Sequence, residues 1–302
     1  MSTPDLTKET IRIGTLVGAA TAPAYIRQIK HHGFESFSLT FWQTLGNTDL
    51  KKLAREVREE LAGTGITIST VSIFGNPLET TPIDLETARG WKAIIDNVHL
   101  FGADIVTGFT GRLRDKPIDQ SIPRYKKIFA PLAARAADKG VRIAFENCDM
   151  GGTWQRGDWN IAHSPECWEL MFDAVPAANI GLEWEPCHQM VKLIDPMPQL
   201  RQYAHKMFHI HGKDCTIHWD VVRSAGVFGS KQFAFHRTPG FGDSNWTDII
   251  SDLRKSGFKG AIDIEGWHDP VYQGNLEMTG QVRGLNYLKA CRGGNFVENP
   301  KM

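Results

Sequence analysis

Short apolar runs alternate with longer amphipathic stretches along the whole chain. The apolar runs are almost continuous in hydrophobicity, which is typical of parallel strands that are buried on both faces. The amphipathic stretches have the spacing of helices that pack one face against a sheet. Eight strands are predicted, at Ile11–Val17, Ser36–Thr40, Thr67–Phe74, Ile105–Phe109, Arg142–Glu146, Ile180–Trp184, Met207–His211 and Ala261–Glu265. The clearest helices are predicted at Leu50–Ala62, Leu85–Phe101, Arg124–Lys139 and Trp246–Ser256.

Glycines mark the ends of several predicted helices. Gly33, Gly102, Gly140 and Gly257 each stand shortly before a predicted strand, where a left-handed residue ends a helix and turns the chain back. Eight strand–helix units without a break in composition predict a single α/β domain over residues 1–302, a (β/α)8 TIM barrel with its core over about 11–290 and a polar tail over 291–302. A doubly wound sheet is the alternative, but Gly14–Ala19 matches the glycine-rich phosphate loop of that fold poorly.

One predicted connection is much longer than the others. It runs from Gly212, after the seventh strand, to Asn245, whereas such loops usually have only about 2–6 residues. An insertion on this face of a barrel is expected to build a lid, a substrate wall or a contact with another chain. Smaller excursions on the same face are predicted at Gly111–Gln120 and Asp149–His163.

The overall charge argues against a polymeric or membrane partner. Lys plus Arg equals Asp plus Glu at 34 each, so no bulk positive field attracts nucleic acid or an anionic membrane. The five cysteines have no CxxC spacing, the first ten residues are polar, and no apolar run is long enough to span a bilayer. These features predict a cytoplasmic protein with reduced thiols.

Ionisable residues end four consecutive predicted strands. Glu146, Glu185, His211 and Glu265 fall at the carboxyl ends of strands, where barrel enzymes carry their catalytic residues. A single buried Glu could belong to a structural salt bridge. Three carboxylates and an imidazole without a nearby basic run would be costly to desolvate unless a divalent cation neutralised them. Oxygen ligands with one imidazole favour Mn²⁺, Mg²⁺ or Co²⁺ over a thiol-rich zinc site.

The alternation of side chains along a strand separates ligands from deeper residues. Glu183 points to the same side as Glu185, and His209 to the same side as His211. The more C-terminal member of each pair lies nearer the barrel mouth, so Glu185 and His211 are the predicted ligands. Glu183 and His209 are then either deeper supporting groups or buried core residues.

At these strand ends the chain resembles the xylose isomerase-like superfamily of sugar isomerases and epimerases. The resemblance extends from the first strand to the eighth. The family usually has Asp where this chain has Glu185, which is one methylene longer. The motifs that carry the resemblance occur in order: Glu146-Asn147, Glu185-Pro186-Cys187-His188, His211-Gly212-Lys213-Asp214, Pro239-Gly240-Phe241-Gly242 with Trp246, and Ile264-Glu265. Each motif alone is weak evidence, whereas five in the same order are strong.

The resemblance implies a role for each matching position. Glu146, Glu185, His211 and Glu265 would bind one divalent metal ion, with Mn²⁺ favoured and Mg²⁺ or Co²⁺ as alternatives. Glu146 and Glu265 would also be the catalytic acid/base pair, on opposite faces of the sugar. His188 would complete the catalytic set by hydrogen bonding a substrate oxygen beside the metal.

Four further residues are expected to contact the substrate. Arg237 resembles a substrate-binding arginine of the ketose epimerases, with a surface salt bridge as the alternative. Trp154 and Trp267 lie beside strand ends, where a sugar can stack on an aromatic ring, although plain packing is equally common there. Lys213 is the fourth residue, although an ion pair with Asp214 that orients the neighbouring ligand His211 is the favoured interpretation of this lysine.

The resemblance implies an isomerase or epimerase that removes a proton next to the carbonyl of a keto sugar or a sugar derivative and forms an enediolate. The alternative is a lyase or dehydratase, because Gly151–Trp154, Trp267–Pro270 and the long insertion look similar to the barrel subunit of C-glycoside deglycosidases. That subunit acts on 3-keto-glycosides and pairs with a small second subunit, so a homo-oligomer or such a pairing is expected for the insertion. A metal endonuclease of the same superfamily is disfavoured by the zero net charge.

Overall fold

The computed structural model describes residues 11–266, 268–294 and 296–300. Eight parallel strands close into a barrel, which confirms the predicted (β/α)8 TIM barrel. Every predicted strand is present, with ends that differ by at most about two residues. The barrel strands are β1 (Arg12–Gly18), β2 (Ser36–Trp42), β3 (Thr67–Phe74), β4 (Ile105–Gly108), β5 (Arg142–Glu146), β6 (Ile180–Trp184), β7 (Met207–Gly212) and β10 (Ala261–Ile264).

Helices surround the barrel, and their caps decide where they begin. Thr81 accepts from the backbone N–H of Asp84 while the Asp84 carboxylate accepts from the backbone of Thr81. This reciprocal cap starts α3 at Pro82, before the predicted Leu85. The helices are α1 (Ala22–Ile29), α2 (Leu50–Leu61), α3 (Pro82–Asn97), α4 (Ile118–Ala137), α5 (Pro165–Ala174), α6 (Pro186–Met190), α7 (Pro196–Tyr203), α8 (Trp219–Ala225), α9 (Trp246–Lys255) and α10 (Glu277–Arg292).

Glycine turns the chain from helix to strand where predicted. Gly33 (φ 94°) and Gly102 (φ 76°) both adopt the left-handed conformation directly after a short 3₁₀ turn. Residues with a Cβ adopt this conformation at an energetic cost, whereas glycine does not. Each of these glycines therefore directs the chain into the strand that follows.

The apolar core lies between the strands and the helices. Trp91, Tyr125, Phe129 and Phe145 pack on one another between α3, α4 and β5, with ring centroids 4.8–5.9 Å apart. The inside of the barrel is polar by contrast. Ser36 on β2 donates to Asp263 on β10 at 2.5 Å across the intervening β1, so both side chains point inward.

The insertion after β7 is an antiparallel hairpin with a helix at its tip. Strands β8 (Asp214–Ile217) and β9 (Ala234–Arg237) pair, with Cys215 opposite His236, and α8 lies between them. The Asp214 carboxylate accepts from the backbone N–H groups of Cys215, Gly240 and Ser244 at 2.9–3.1 Å. It thereby folds the Pro-Gly loop onto the start of the hairpin.

Two predictions about covalent and membrane features can be compared with the structure. The five cysteines are free thiols, and four of them are buried. Within the described residues, no helix is sufficiently long and apolar to cross a membrane.

Candidate metal centre and active site

Four ends of neighbouring strands bring the predicted ligands together. Glu146 is the last residue of β5, His211 lies in β7, and Glu185 and Glu265 directly follow β6 and β10. These strands are neighbours in the barrel, and all four side chains are buried. One potential ligand atom from each lies within 4.8 Å of the other three. The sequence-predicted set therefore forms one cluster.

His211 stands at the centre of this cluster. Its Nδ1 lies 3.0 Å from Oε1 of Glu146, 3.4 Å from Oε2 of Glu265 and 3.5 Å from Oε2 of Glu185. The three carboxylates thus approach a single imidazole nitrogen from three strands. This arrangement is compact enough for one ion to contact all four side chains.

Lys213 is the buried cation of the site. Its Nζ lies 3.0 Å from Oε1 of Glu265 and 3.5 Å from Oε1 of Glu185. Although burial acts against the charged form, these two carboxylates raise the pKa of Lys213 well above its usual range. The predicted alternative, an ion pair with Asp214, is wrong, because Asp214 accepts from backbone N–H groups of the Pro-Gly loop.

One ammonium and one imidazole do not neutralise the carboxylates evenly. Burial, followed by the charges of Glu265 and Glu146, raises the pKa of Glu185 to about 7, although Lys213 acts in the opposite direction. Burial also raises the pKa of Glu146. Lys213 and His211 outweigh burial at Glu265 and hold the pKa of that carboxyl well below its usual range. Glu146 and Glu185 are therefore less well stabilised as anions than Glu265.

The donor set fits a divalent cation. Both carboxylate oxygens of Glu185 and Oε2 of Glu265 are buried without a hydrogen-bond partner in the described part of the chain. Such atoms are costly to bury unless something else satisfies them. Three carboxylates and one imidazole are the ligand types that Mn²⁺, Mg²⁺ and Co²⁺ accept.

The backbone beneath Glu185 is fixed by a neighbouring amide. Asn147 donates from Nδ2 to the carbonyl of Glu185 at 2.8 Å and accepts from its N–H at 2.7 Å. Asn160 holds the preceding strand end by donating from Nδ2 to the carbonyl of Glu146 at 2.7 Å. Both contacts keep the ligand-bearing ends of β5 and β6 in place.

A cavity of about 740 Å³ opens above the cluster. Glu146, His211, Lys213 and Glu265 form its floor, and one wall carries the imidazoles of His188, His236 and His268. The rings of His188 and His236 are 5.2 Å apart, and those of His236 and His268 are 5.7 Å apart. The apolar side of the cavity is lined by Trp42, Phe74 and Phe109. The cavity thus combines polar donors with flat aromatic surface.

His188 lies where it was predicted, beside the cluster. It is buried, and its Nε2 is 3.3 Å from Oε1 of Glu185. Burial, then the charges of Lys213 and His236, lower the pKa of His188 well below its usual range. The ring is therefore neutral and able to donate one hydrogen bond and accept another.

Other predicted substrate contacts lie away from the cavity. Arg237 pairs with Asp269, Nε to Oδ2 at 3.1 Å, which is the salt-bridge alternative. Trp154 packs against the edge of the core, and its carbonyl accepts from the buried Arg112 at 2.9 Å. Neither side chain lines the cavity, so neither lies where a ligand in this cavity would contact it. Trp267 lies outside the described residues.

Comparison with known proteins gives the family. A family profile described as "Xylose isomerase-like TIM barrel" matches residues 26–291. The chain belongs to the xylose isomerase-like TIM barrels.

Individual relatives are distant. The chain is 24% identical over 236 residues to an inosose dehydratase of Clostridium botulinum, covering 72% of this chain and 74% of that protein. It is 28% identical over 152 residues to the rhizopine catabolism protein MocC of Rhizobium meliloti, and this match covers 48% of the chain and only 43% of that relative. The crystal structure of the 3-keto-D-glucoside 4-epimerase YcjR from E. coli superimposes with a TM-score of 0.69 at 16% identity, over 93% of this chain and 100% of the other.

Several residues that line the cavity of this xylose isomerase-like barrel are absent from the predicted substrate contacts, among them His236 and Trp42. His236 reaches the wall from β9, which is part of the long insertion, and its Nδ1 has no hydrogen-bond partner among the described residues. Trp42, at the end of β2, lines the aromatic side and is 58% exposed. Its position at a strand end was a usable signal, whereas the position of His236 depends on hairpin pairing that no local motif reveals.

Proposed function

We propose that this protein is a divalent-metal-dependent isomerase or epimerase of a keto sugar or sugar derivative. The observation that carries this proposal is the pair Glu146 and Glu265, two buried carboxylates on either side of His211 at the floor of a sugar-sized cavity. The cavity volume of about 740 Å³ is in the range of about 300–1,000 Å³ that is usual for small-molecule sites.

Glu146, Glu185, His211 and Glu265 would hold the ion, which we propose is Mn²⁺, with Mg²⁺ and Co²⁺ as alternatives. When bound, a divalent cation polarises a carbonyl oxygen and stabilises the negative charge of an enediolate. Glu146 and Glu265 come from β5 and from the end of β10, with β6 and β7 between them in the barrel. One carboxylate takes the proton from the carbon next to the carbonyl, and either carboxylate returns a proton, to the opposite face or to the adjacent carbon.

The remaining cavity residues would bind and orient the sugar. His188 and Lys213 offer donors beside the ligand cluster, where the carbonyl and its neighbouring hydroxyl would lie. Trp42 and Phe109 offer flat apolar surface to the C–H face of a sugar ring. Water would be partly excluded by this aromatic side, which strengthens the electrostatic interactions on the floor.

Elimination is the second candidate reaction. The chain matches an inosose dehydratase over 72% of its length, and dehydration of a keto sugar begins with the same proton removal. It then requires a donor for the departing hydroxyl, and one of the imidazoles of the cavity wall, His188, His236 or His268, would serve as that donor. A 3-keto-glycoside would lose its aglycone by the same route, in the manner of a C-glycoside deglycosidase.

The two reactions differ in a product that NMR and mass spectrometry detect. The Mn²⁺-loaded protein is incubated in D₂O with ketopentoses, ketohexoses, an inosose and a 3-keto-glucoside. An isomerase or epimerase gives a stereoisomer or positional isomer with deuterium at the carbon next to the carbonyl. A dehydratase gives a product lighter by one water, and a deglycosidase releases aglycone. If the protein catalysed no deuterium exchange and no elimination with any of these substrates, the proposal would be rejected.

Two variants test the catalytic role that we propose for the carboxylate of Glu265. Glu265→Gln keeps the size of the side chain but removes the proton acceptor, so we expect turnover to fall by at least about 10²–10⁴-fold. Glu59→Gln, on the exposed face of α2, loses the same charge away from the cavity and should behave as the wild type. Equal turnover of the two variants would contradict the role of Glu265.

A further inference from the structure

A second row of ionisable groups lies beneath the ligand cluster, inside the barrel. Glu183, His209 and Asp263 are each fully buried. Nδ1 of His209 lies 2.8 Å from Oε1 of Glu183, and its Nε2 lies 2.7 Å from Oδ2 of Asp263. Asp263 in turn accepts from the hydroxyls of Ser36 and Ser69. The row therefore crosses the barrel interior from β6 through β7 to β10.

His211 joins this row to the ligand cluster. Its Nδ1 faces the carboxylates of Glu146, Glu185 and Glu265, whereas its Nε2 lies 3.2 Å from Oε1 of Glu183. The latter is an ion-pair contact without the alignment of a strong hydrogen bond. A carboxylate repels a lone pair and attracts an N–H, so when a cation occupies the Nδ1 side of the ring, Glu183 is the group that faces the proton left on Nε2.

The lower row is less suited than the upper cluster to hold an ion itself, although Glu183, His209 and His211 also lie within ligand distance of one another. Both nitrogens of His209 already face carboxylate oxygens at 2.8 Å or less, so neither offers a free lone pair. Of the Glu183 oxygens, Oε2 lacks a hydrogen bond among the described residues. The upper cluster has three such oxygens, two on Glu185 and one on Glu265.

We propose that Glu183 is a positioning residue for the metal centre and that His209 and Asp263 hold it in place. Glu183 keeps the proton of His211 on Nε2 and so presents the Nδ1 lone pair to a cation bound by Glu146, Glu185 and Glu265. Groups that orient a ligating histidine through its other nitrogen commonly change metal affinity by about 10–100-fold when they are removed. This inference rests on the metal site of the proposed function, but not on the substrate or the reaction.

Mn²⁺ affinity tests the role independently of turnover. The full chain is stripped of metal and titrated with Mn²⁺ by calorimetry, as wild type and as Glu183→Gln. We expect the dissociation constant of the variant to be about 10–100-fold higher. Glu185→Gln, which removes a predicted ligand, should weaken binding at least as much. The Co²⁺ absorption spectrum should shift in Glu183→Gln, because the imidazole ligand changes its orientation.

Thr107→Val is the matched control. Thr107 is equally buried inside the barrel and donates to Ser72 at 2.6 Å, so its replacement removes a buried hydrogen bond without touching the row. We expect this variant to lower the melting temperature but to bind Mn²⁺ within about twofold of the wild type and to keep its Co²⁺ spectrum. His209→Gln is a second route to the same test if Glu183→Gln does not fold, and it should also weaken Mn²⁺ binding.

The outcomes separate the two proposals. Wild-type affinity in both Glu183→Gln and His209→Gln, or an equal loss in Thr107→Val, would overturn the positioning role. A selective loss in the row variants would support it even if none of the sugars tested were turned over, in which case only the proposed reaction would fail. Wild-type protein that bound none of Mn²⁺, Mg²⁺ and Co²⁺ would overturn both.

Discussion

Replacement of Lys213 by Met should have opposite effects on the stability of the metal-free protein and on its metal affinity. The ammonium lies 3.0 Å from Glu265 and 3.5 Å from Glu185, and each contact contributes roughly 5 kcal/mol of attraction at an effective dielectric constant of ~20. Desolvation of the ammonium offsets several kcal/mol of that sum. Removal of one partner from a buried pair costs about 3–5 kcal/mol, because the other charge stays buried and unpaired.

The metal-free Lys213→Met protein should therefore melt on the order of 10 °C below the wild type, since about 2–4 °C corresponds to 1 kcal/mol in proteins of roughly this size. The affinity of Lys213→Met for a divalent cation, by contrast, should be higher than that of the wild type. Without the ammonium, the same three carboxylates face an incoming divalent ion with one fewer competing charge. Even a net gain of about 1.4 kcal/mol corresponds to a tenfold lower dissociation constant.

Scanning calorimetry in EDTA and calorimetric titration with Mn²⁺ measure the two effects. Lys192→Met is the control, because Lys192 is a partly buried cation near the cavity that pairs with Asp149 at 3.0 Å and makes no ion pair with the ligand cluster among the described residues. It should change the melting temperature only slightly and leave the Mn²⁺ affinity unchanged. Weaker Mn²⁺ binding in Lys213→Met, or a melting temperature in EDTA equal to that of the wild type, would refute the electrostatic account of the site.

Two further predictions concern metal removal and pH. Dialysis against EDTA should lower the melting temperature and abolish turnover, and added Mn²⁺ should restore both. A ligand at 100 times its dissociation constant stabilises the folded state by about 2.7 kcal/mol. A melting temperature and a turnover that responded to none of Mn²⁺, Mg²⁺ and Co²⁺ would contradict the proposed metal site. Burial acts against the charged form of Asp84, but Arg114 and Thr81 outweigh it and lower the pKa of this carboxyl. The bidentate Arg114–Asp84 pair, at 2.7–2.8 Å, therefore stabilises the fold at any pH above the ordinary carboxyl pKa. This stabilisation is lost as the pH falls through the lowered pKa of Asp84. Asp84→Asn should therefore cost roughly 2 kcal/mol at pH 7, and its melting temperature should approach that of the wild type below about pH 4; a constant difference down to pH 3 would argue against this ion pair.

The fold could be predicted because its determinants are local. Each barrel strand is a short apolar run, and the glycines at Gly33 and Gly102 punctuate the chain where the structure has left-handed residues. Helix starts were predicted less well, since the reciprocal cap of Thr81 and Asp84 begins α3 one turn before its apolar pattern is evident. The contact of the insertion with another chain, and the cytoplasmic location, stay predictions.

The candidate site could be predicted only where position along a strand determines position in space. Glu146, Glu185 and Glu265 end their strands, so their meeting follows from the barrel alone. The partners of Lys213 could not be predicted in this way, because its long side chain forms ion pairs at two other strand ends and not with the adjacent Asp214. The partner of Arg237 could not be predicted either, because Asp269 lies beyond β10 in the sequence.

The paired residues on β6 and β7 show why alternation predicts a direction but not a function. Glu183 and Glu185 share one side of the chain at the end of β6, and His209 and His211 share one side of β7, yet the two members of each pair lie at different depths in the barrel. The upper members, Glu185 and His211, lie in a cluster whose Glu185 and Glu265 carboxylates have oxygens without hydrogen-bond partners among the described residues, and a cation can bind these oxygens. Both nitrogens of His209, by contrast, already contact the carboxylates of Glu183 and Asp263. The ion-pair contact of 3.2 Å from His211 to Glu183 connects the two levels, and the rings of His209 and His211 lie 5.5 Å apart across them. The partners that a polar residue already has at its depth in the barrel therefore determine how well it is suited to bind an ion.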